Sequence, residues 1–458
     1  MKNDFLLNSE LAQCLYKNYV QTLPVIDYHN HLSITDLAKN KRFDNLYELW
    51  VKPDPYKHRA MRMCGVPEYY ITGNAPDEEK FAAWCEIFPK LAGNPLYQWS
   101  LMELQDILEI REIPGQETAK AIWKHAENYM SHNTISAKSI LQKYQVEYLS
   151  PCTSFLDDLS VYNTDLKLYP SLRGDDILLP NKAFIMKLQE LTNIPVTDLD
   201  TYLQAVTIRL KAFQSAGCRF VDHSLDDGFY YHEEDGKNEN RFLQLLKKNS
   251  GNKDISSTDQ EKLKSSILCR LGKLYADYDM ILQLHMGARR HTSTRLRQYA
   301  GPAGGYAAIG NSINVASLTG LLDDLEQSEH GMPKVILFAL NPADHGMVSA
   351  LAGSYSKDNV PGLVTQGPAW WWCDHSYGIR SVLENTASYG LLSNFPGMVT
   401  DSRSFLSFVR HDYFRRILCS WLAERIMAQD FQKAPEISEQ LIYDMCYGNA
   451  KQMTLERR

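Results

Sequence analysis

The chain has 458 residues, 44% hydrophobic and 22% charged, with a formal net charge of -7. This is a globular composition with ample core, and the acidic balance without a long basic run argues against nucleic acid or an anionic membrane as partner. No stretch approaches the length of an apolar membrane span, the first residues carry no apolar leader, and nine scattered cysteines without a Cys-x-x-Cys pair read as free thiols of a reducing cytoplasm.

The first predicted element is a strand over 25–32, in which the apolar run Pro24-Val25-Ile26 leads into Asp27-Tyr28-His29-Asn30-His31. Side chains alternate along a strand, so His29 and His31 share a face and can hold one metal ion at its C-terminal tip. Residues 33–145 then carry helical periodicity, as at 81–88 and 118–130, and are too long for a single βα unit. They read as a mostly helical insertion after the first strand. Further strands are expected at 146–154, 168–173, 218–225, 280–288, 334–341, 362–370 and 397–405, each short and bounded by Gly, Pro, Asn or Asp. Several are apolar on both faces, as in a buried parallel sheet. Helices are expected between them at 200–216, 258–278, 311–327, 342–355 and 377–389, with Gly217 as a stop signal, and closing helices at 412–426 and 437–447. The polar stretch 231–260 reads as a surface insertion. Eight strands with helices between them describe an α/β chain, a (β/α)8 TIM barrel spanning residues 1–458 as one domain.

In such barrels the chemistry sits at the C-terminal ends of the strands. There this sequence places His29 and His31, Arg173, His223, His285, Trp370 and Trp371, and Asp401 with Arg403. Two imidazoles and a carboxylate suit a divalent ion with positions left open for substrate oxygens. Two arginines suit an anionic substrate, because guanidinium grips a carboxylate through two parallel bonds. The tryptophans suit the C–H face of a sugar. Each residue also has a plainer reading. His223 can be a hydrogen-bonded core histidine, the arginines can pair with surface carboxylates, and Asp401 can cap the following helix.

Taken together these motifs resemble the uronate isomerase (glucuronate isomerase) family of the amidohydrolase superfamily. The resemblance is carried by Asp27-Tyr28-His29-Asn30-His31-Leu32-Ser33, Arg42-Phe43-Asp44-Asn45-Leu46, Ile71-Thr72-Gly73 and Gly93-Asn94-Pro95-Leu96-Tyr97. It continues through Gln283-Leu284-His285-Met286-Gly287-Ala288, Leu340-Asn341-Pro342 and Trp370-Trp371, and is most specific over 397–407 and 410–419. It implies interconversion of aldo- and keto-hexuronates, glucuronate with fructuronate or galacturonate with tagaturonate. It further implies a divalent metal, zinc above others, on His29, His31 and Asp401, with His285 close by. Tyr56 matches a tyrosine that reaches the substrate, and Arg173 and Arg403 match substrate-contacting arginines. On this reading Asp401, Tyr56 and His285 are the catalytic candidates, and Arg173, Arg403, Trp370, Trp371 and His223 the substrate-binding ones. The partner is a small-molecule hexuronate, and a homo-oligomer is compatible with so large a barrel.

The sequence departs from the family pattern in places. Cys152-Thr153-Ser154-Phe155-Leu156-Asp157-Asp158 stands where a Thr-Thr-Asp-Asp-Pro run is expected. Leu172, Gly174, His58 and Cys373 replace Trp, Pro, Trp and Asn, and Arg289-Arg290-His291 is more basic than usual. Two other functions stay open at this stage: a metal-dependent hydrolase of the same superfamily, and a sugar-acid-binding paralogue without turnover.

Overall fold

The structure, a computed structural model, describes residues 4–226, 229–249, 255–301, 304–329, 331–429 and 435–455. Seven parallel strands form one curled sheet in the order β1-β2-β3-β4-β5-β8-β9. They are β1 (Val25–Asn30), β2 (Val146–Ser154), β3 (Ser171–Arg173), β4 (Phe220–Leu225), β5 (Ile281–Met286), β8 (Val335–Ala339) and β9 (Val364–Gln366). Between β5 and β8 a small antiparallel pair, β6 (Ala288–Arg289) and β7 (Ala308–Ile309), stands apart from the sheet.

Residue parity along the strands explains the layering. Phe220, Ile281, Ile336 and Phe338 point inward and pack with Ile26, Tyr28, Tyr148, Trp370 and Val399 in one interior cluster. Their neighbours Val221, Leu225, Leu282, Leu284, Val335 and Leu337 point outward into a second core, under helices such as Leu199–Ser215, Ser257–Asp277 and Val315–Glu326. The interior cluster joins Ile26 on one edge of the sheet to Trp370 and Val399 beyond the other, so the sheet curls into a ring. Ala450 and Met453, from the final helix Asn449–Thr454, fill its lower end. This is the (β/α)8 barrel that strand count and spacing predict.

The eighth position differs in detail from expectation. Residues 397–404 form no strand, because Pro396 and Gly397 (φ +84°) open the segment and Asp401 (φ +47°) turns it. The segment nevertheless lies against β1: the Asp401 amide donates to the His29 carbonyl at 3.1 Å, and the His31 amide donates to the Ser402 carbonyl at 2.9 Å. Buried Asp27 holds the same segment, accepting from the Thr400 amide at 2.9 Å and the Thr400 hydroxyl at 2.7 Å. β3 and β9 are shorter than expected; in β3 the ladder starts only after Pro170, which has no N–H to donate.

Between β1 and β2 the chain is helical, with Ile34–Ala38, Pro55–Met63, Asp77–Ile87, Pro95–Leu108, Ala119–His132 and Ala137–Lys143. The helix at Pro55 starts where its sequence demands. Asp54 is the N-cap, accepting from the Tyr56 amide at 2.9 Å, and Pro55 takes the first helical position. The stretch 231–260 is less open than its polarity suggests. It contains a helix, Asn238–Asn249, whose Phe242 and Leu245 are buried in the outer core. Residues 250–254 of that stretch lie outside the described residues. Among the described residues no helix is long and apolar enough to cross a membrane.

Candidate functional site

A cavity of about 400 Å3 opens at the C-terminal end of the barrel. His29, His31, Tyr56, Arg173, His285, Trp370, Trp371, Asp401 and Arg403 all line it. Residues from the ends of four strands, from the segment at the eighth barrel position and from the helical insertion are therefore brought together.

At its floor Asp401 Oδ1 lies 3.4 Å from His29 Nε2 and 3.2 Å from His31 Nε2. Burial opposes ionisation of Asp401, but the hydrogen bonds from His29 and His31 outweigh it and hold the carboxyl well below the usual range. β1 loses its regular register between Asp27 and Asn30. This lets Tyr28 stack on interior Phe220, ring centroids 5.0 Å apart, while the next residue, His29, also reaches the barrel axis. There the His29 ring stands 4.4 Å from that of His285. His285 is buried, and neither of its ring nitrogens has a hydrogen-bond partner among the described residues. Burial, with His29 nearby, holds it neutral.

The donor set fits a divalent metal ion. Imidazole nitrogens and carboxylate oxygens face one another across three to four ångströms without a protein group between them, and His285 has buried nitrogens unused. Two further donors complete the cluster. Asp222, buried, has Oδ2 at 3.9 Å from His285 Nδ1, and Cys152 Sγ lies 3.7 Å from His29 Nδ1 and 3.8 Å from Asp222 Oδ1.

The walls carry opposite characters. Trp370, Trp371 and Trp372 form an aromatic side, with Trp371 and Trp372 stacked at 5.4 Å. Tyr56 meets Trp372 edge-on at 5.1 Å, and its buried hydroxyl has no hydrogen-bond partner among the described residues. The basic side holds Arg173, paired with Asp175 at 3.1 Å, and Arg403, which makes no ion pair among the described residues. Arg290, which grips Asp226 at 2.9 Å and lies 5.5 Å over the Trp371 ring, adds a third guanidinium. The loop between β5 and β8 roofs the cavity through Gly305, Tyr306 and Ala307. Arg59, one turn along from Tyr56, donates to the carbonyls of Gly305 at 3.1 Å and Ala307 at 3.0 Å, tying the insertion to this roof.

His223 is the one predicted site residue placed elsewhere. On β4, Phe220, Asp222 and Ser224 face inward, so His223 shares the outward face with Val221 and Leu225. Its Nε2 bonds the Tyr275 hydroxyl at 2.9 Å, and its ring fills the space where a side chain on Gly174 would stand; a Cβ there would lie 2.2 Å from Cε1. Strand alternation thus delivers Asp222 to the site in its place. Burial pushes the His223 imidazole down to about 4, against an unfolded value of about 6.5. Between those values the unfolded chain binds the extra proton, so stability falls as pH drops from about 6.5 to about 4, by up to about 1.4 kcal/mol per pH unit. We expect His223→Gln to remove this slope. The check is the difference between the two proteins' urea-unfolding profiles from pH 7 to pH 4, and parallel profiles would refute the assignment.

Comparison with known proteins gives the family. A family model described as glucuronate isomerase matches residues 1–454. The uronate isomerase of Caldanaerobacter subterraneus is 37% identical over 463 aligned positions, covering 99% of this chain and 98% of its own. That of Geobacillus thermodenitrificans is 37% identical over 463 positions, covering 98% of this chain and 97% of its own. The crystal structure of the uronate isomerase from Thermotoga maritima matches with a TM-score of 0.91 at 26% identity and covers 99% of each chain. With its barrel, its strand-end histidines and this end-to-end match, the chain belongs to the glucuronate isomerase family.

Proposed function

We propose that this protein is an aldose–ketose isomerase that interconverts aldo- and keto-hexuronates, glucuronate with fructuronate or galacturonate with tagaturonate. The observation that carries the reading is the meeting of His29, His31 and Asp401 beneath a cavity with aromatic and guanidinium walls. The reaction moves a proton from C2 to C1 through an enediol, while the O2 proton passes to O1. We assign the carbon proton transfer to the Asp401 carboxylate, and the oxygen-to-oxygen transfer to the neutral His285 imidazole. Tyr56 closes the pocket and donates to a substrate oxygen. Arg173 and Arg403 bind the uronate carboxylate and orient the chain of hydroxyls, with C–H groups against Trp370 and Trp371. His29, His31 and Asp401 hold the divalent ion, for which we propose zinc on the nitrogen-rich donor set. When bound, that ion supplies Lewis acidity where negative charge develops. We place the protein in the cytoplasm, in keeping with nine unpaired cysteines.

The insertion 33–145 and the barrel act as one catalytic unit on this reading, because Tyr56 comes from one and the other catalytic groups from the other. A time course with D-glucuronate tests the function. The keto acid forms, a chelator slows its formation at least about tenfold, and added zinc restores it. Absence of keto acid, together with hydrolysis in an amide and ester panel, would favour a superfamily hydrolase. Binding of the sugar acid without either reaction would indicate a paralogue without turnover.

A further inference from the structure

We propose that Cys152 is a ligand of the same metal ion, so that this chain presents a thiolate beside His29, His31 and Asp401. The inference rests on the reading above that those three residues hold a divalent ion. Cys152 lies near the C-terminal end of β2 and shares its strand face with Tyr148, four residues earlier, which packs inside the barrel. That parity turns Sγ to the barrel axis.

The separations have the size a tetrahedral ion requires. Bonds of about 2.0 Å to nitrogen and about 2.3 Å to sulfur place neighbouring donors roughly 3.5 Å apart. Asp401 Oδ1 stands 3.4 Å from His29 Nε2 and 3.2 Å from His31 Nε2, and Cys152 Sγ stands 3.9 Å from the same His29 nitrogen. The ligand atoms of His29, His31 and Cys152 all lie within 4.8 Å of one another. A second observation points to a ligand at this spot. His285, 3% exposed, stands against His29 with neither ring nitrogen hydrogen-bonded among the described residues. A sulfur donor biases such a site towards soft and borderline ions, zinc and cobalt over magnesium or calcium. With Cys152 among the donors, His29, His31, Asp401 and Cys152 would supply four protein ligands to the ion.

Cobalt(II) is the probe. Apoprotein loaded with one equivalent should show visible ligand-field bands of a tetrahedral ion and a near-ultraviolet sulfur-to-cobalt charge-transfer band. Cys152→Ser should lose the charge-transfer band, keep the visible bands, and bind cobalt roughly 10- to 100-fold more weakly. Peptide mapping after iodoacetamide supplies a second readout in the unmutated chain: Cys152 is alkylated in apoprotein and protected when metal is bound. Visible bands without charge transfer, or a charge-transfer band surviving in Cys152→Ser, would overturn the ligand while leaving the His29, His31 and Asp401 reading intact. Failure of unmutated protein to bind cobalt, or binding unaffected by His29→Ala, would overturn both. Circular dichroism of Cys152→Ser establishes that the variant is folded.

Discussion

Asp401→Asn should lower kcat by about 10³-fold while the protein stays folded. The substitution suits the test because of the backbone. Asp401 sits at φ +47°, a left-handed conformation that asparagine tolerates better than most residues. The amide at 401 still donates to the His29 carbonyl, so the segment keeps its seat on β1. What is lost is the negative charge that both imidazoles face, and with it the group assigned to move the carbon proton. Two causes of the loss are separable. If asparagine only weakens metal binding, excess zinc restores turnover. If the carboxylate also carries the proton, kcat stays low at saturating zinc, and we expect this second outcome. Near-normal kcat with full metal occupancy would remove Asp401 from the proton path.

The parts of this site that were legible in the sequence are those announced by local chemistry at a strand end. His29 and His31 follow an apolar run, His285 ends Leu282-Gln283-Leu284, and Asp401 with Arg403 follows Met398-Val399-Thr400; all of them line the cavity. His223 misled because a histidine draws attention, whereas parity decides which side chain faces inward. In Phe220-Val221-Asp222-His223-Ser224-Leu225 the apolar Val221 and Leu225 share the face of His223, and that pattern assigns Asp222 to the barrel axis. Cys152 and Arg290 stand out in the sequence only as departures from a family pattern; strand parity turns Cys152 towards His29, whereas the place of Arg290 in the cavity wall depends on tertiary contacts no local pattern encodes. The eighth barrel position was legible as a location but not as a conformation. Side-chain bonds from Asp27 and two backbone bonds to β1 replace a regular ladder there. The simple alternation expected for β1 also gives way, through an irregularity that brings Tyr28 and His29 both to the interior.

Glu103→Ala should destabilise the protein by about 3–5 kcal/mol and disturb the site from a distance. Lys57 is fully buried, one residue after Tyr56, with Nζ 2.7 Å from Asp54 and 3.0 Å from Glu103. Burial alone would discharge the ammonium, but Asp54 and Glu103 outweigh it and raise its pKa. Glu103 also accepts from Trp50 Nε1 at 2.7 Å, and Asp54 caps the helix that carries Tyr56. Alanine at 103 therefore leaves one cation short of an anion and one indole N–H without an acceptor, in a place water does not reach. Glu103→Gln keeps an acceptor and most of the volume, and should cost less. Thermal and urea unfolding of the two variants measure the difference. Because Lys57 and Tyr56 are adjacent on one helix, relief of the unpaired charge by local rearrangement should also move the tyrosine. Glu103→Ala is then expected to lower kcat/KM even at temperatures where it remains folded. A variant as stable as the unmutated chain would show that water or another group takes over the role of Glu103. A destabilised variant with unchanged kcat/KM would instead separate the ion cluster from the seating of Tyr56, leaving the helix cap at Asp54 as what positions it.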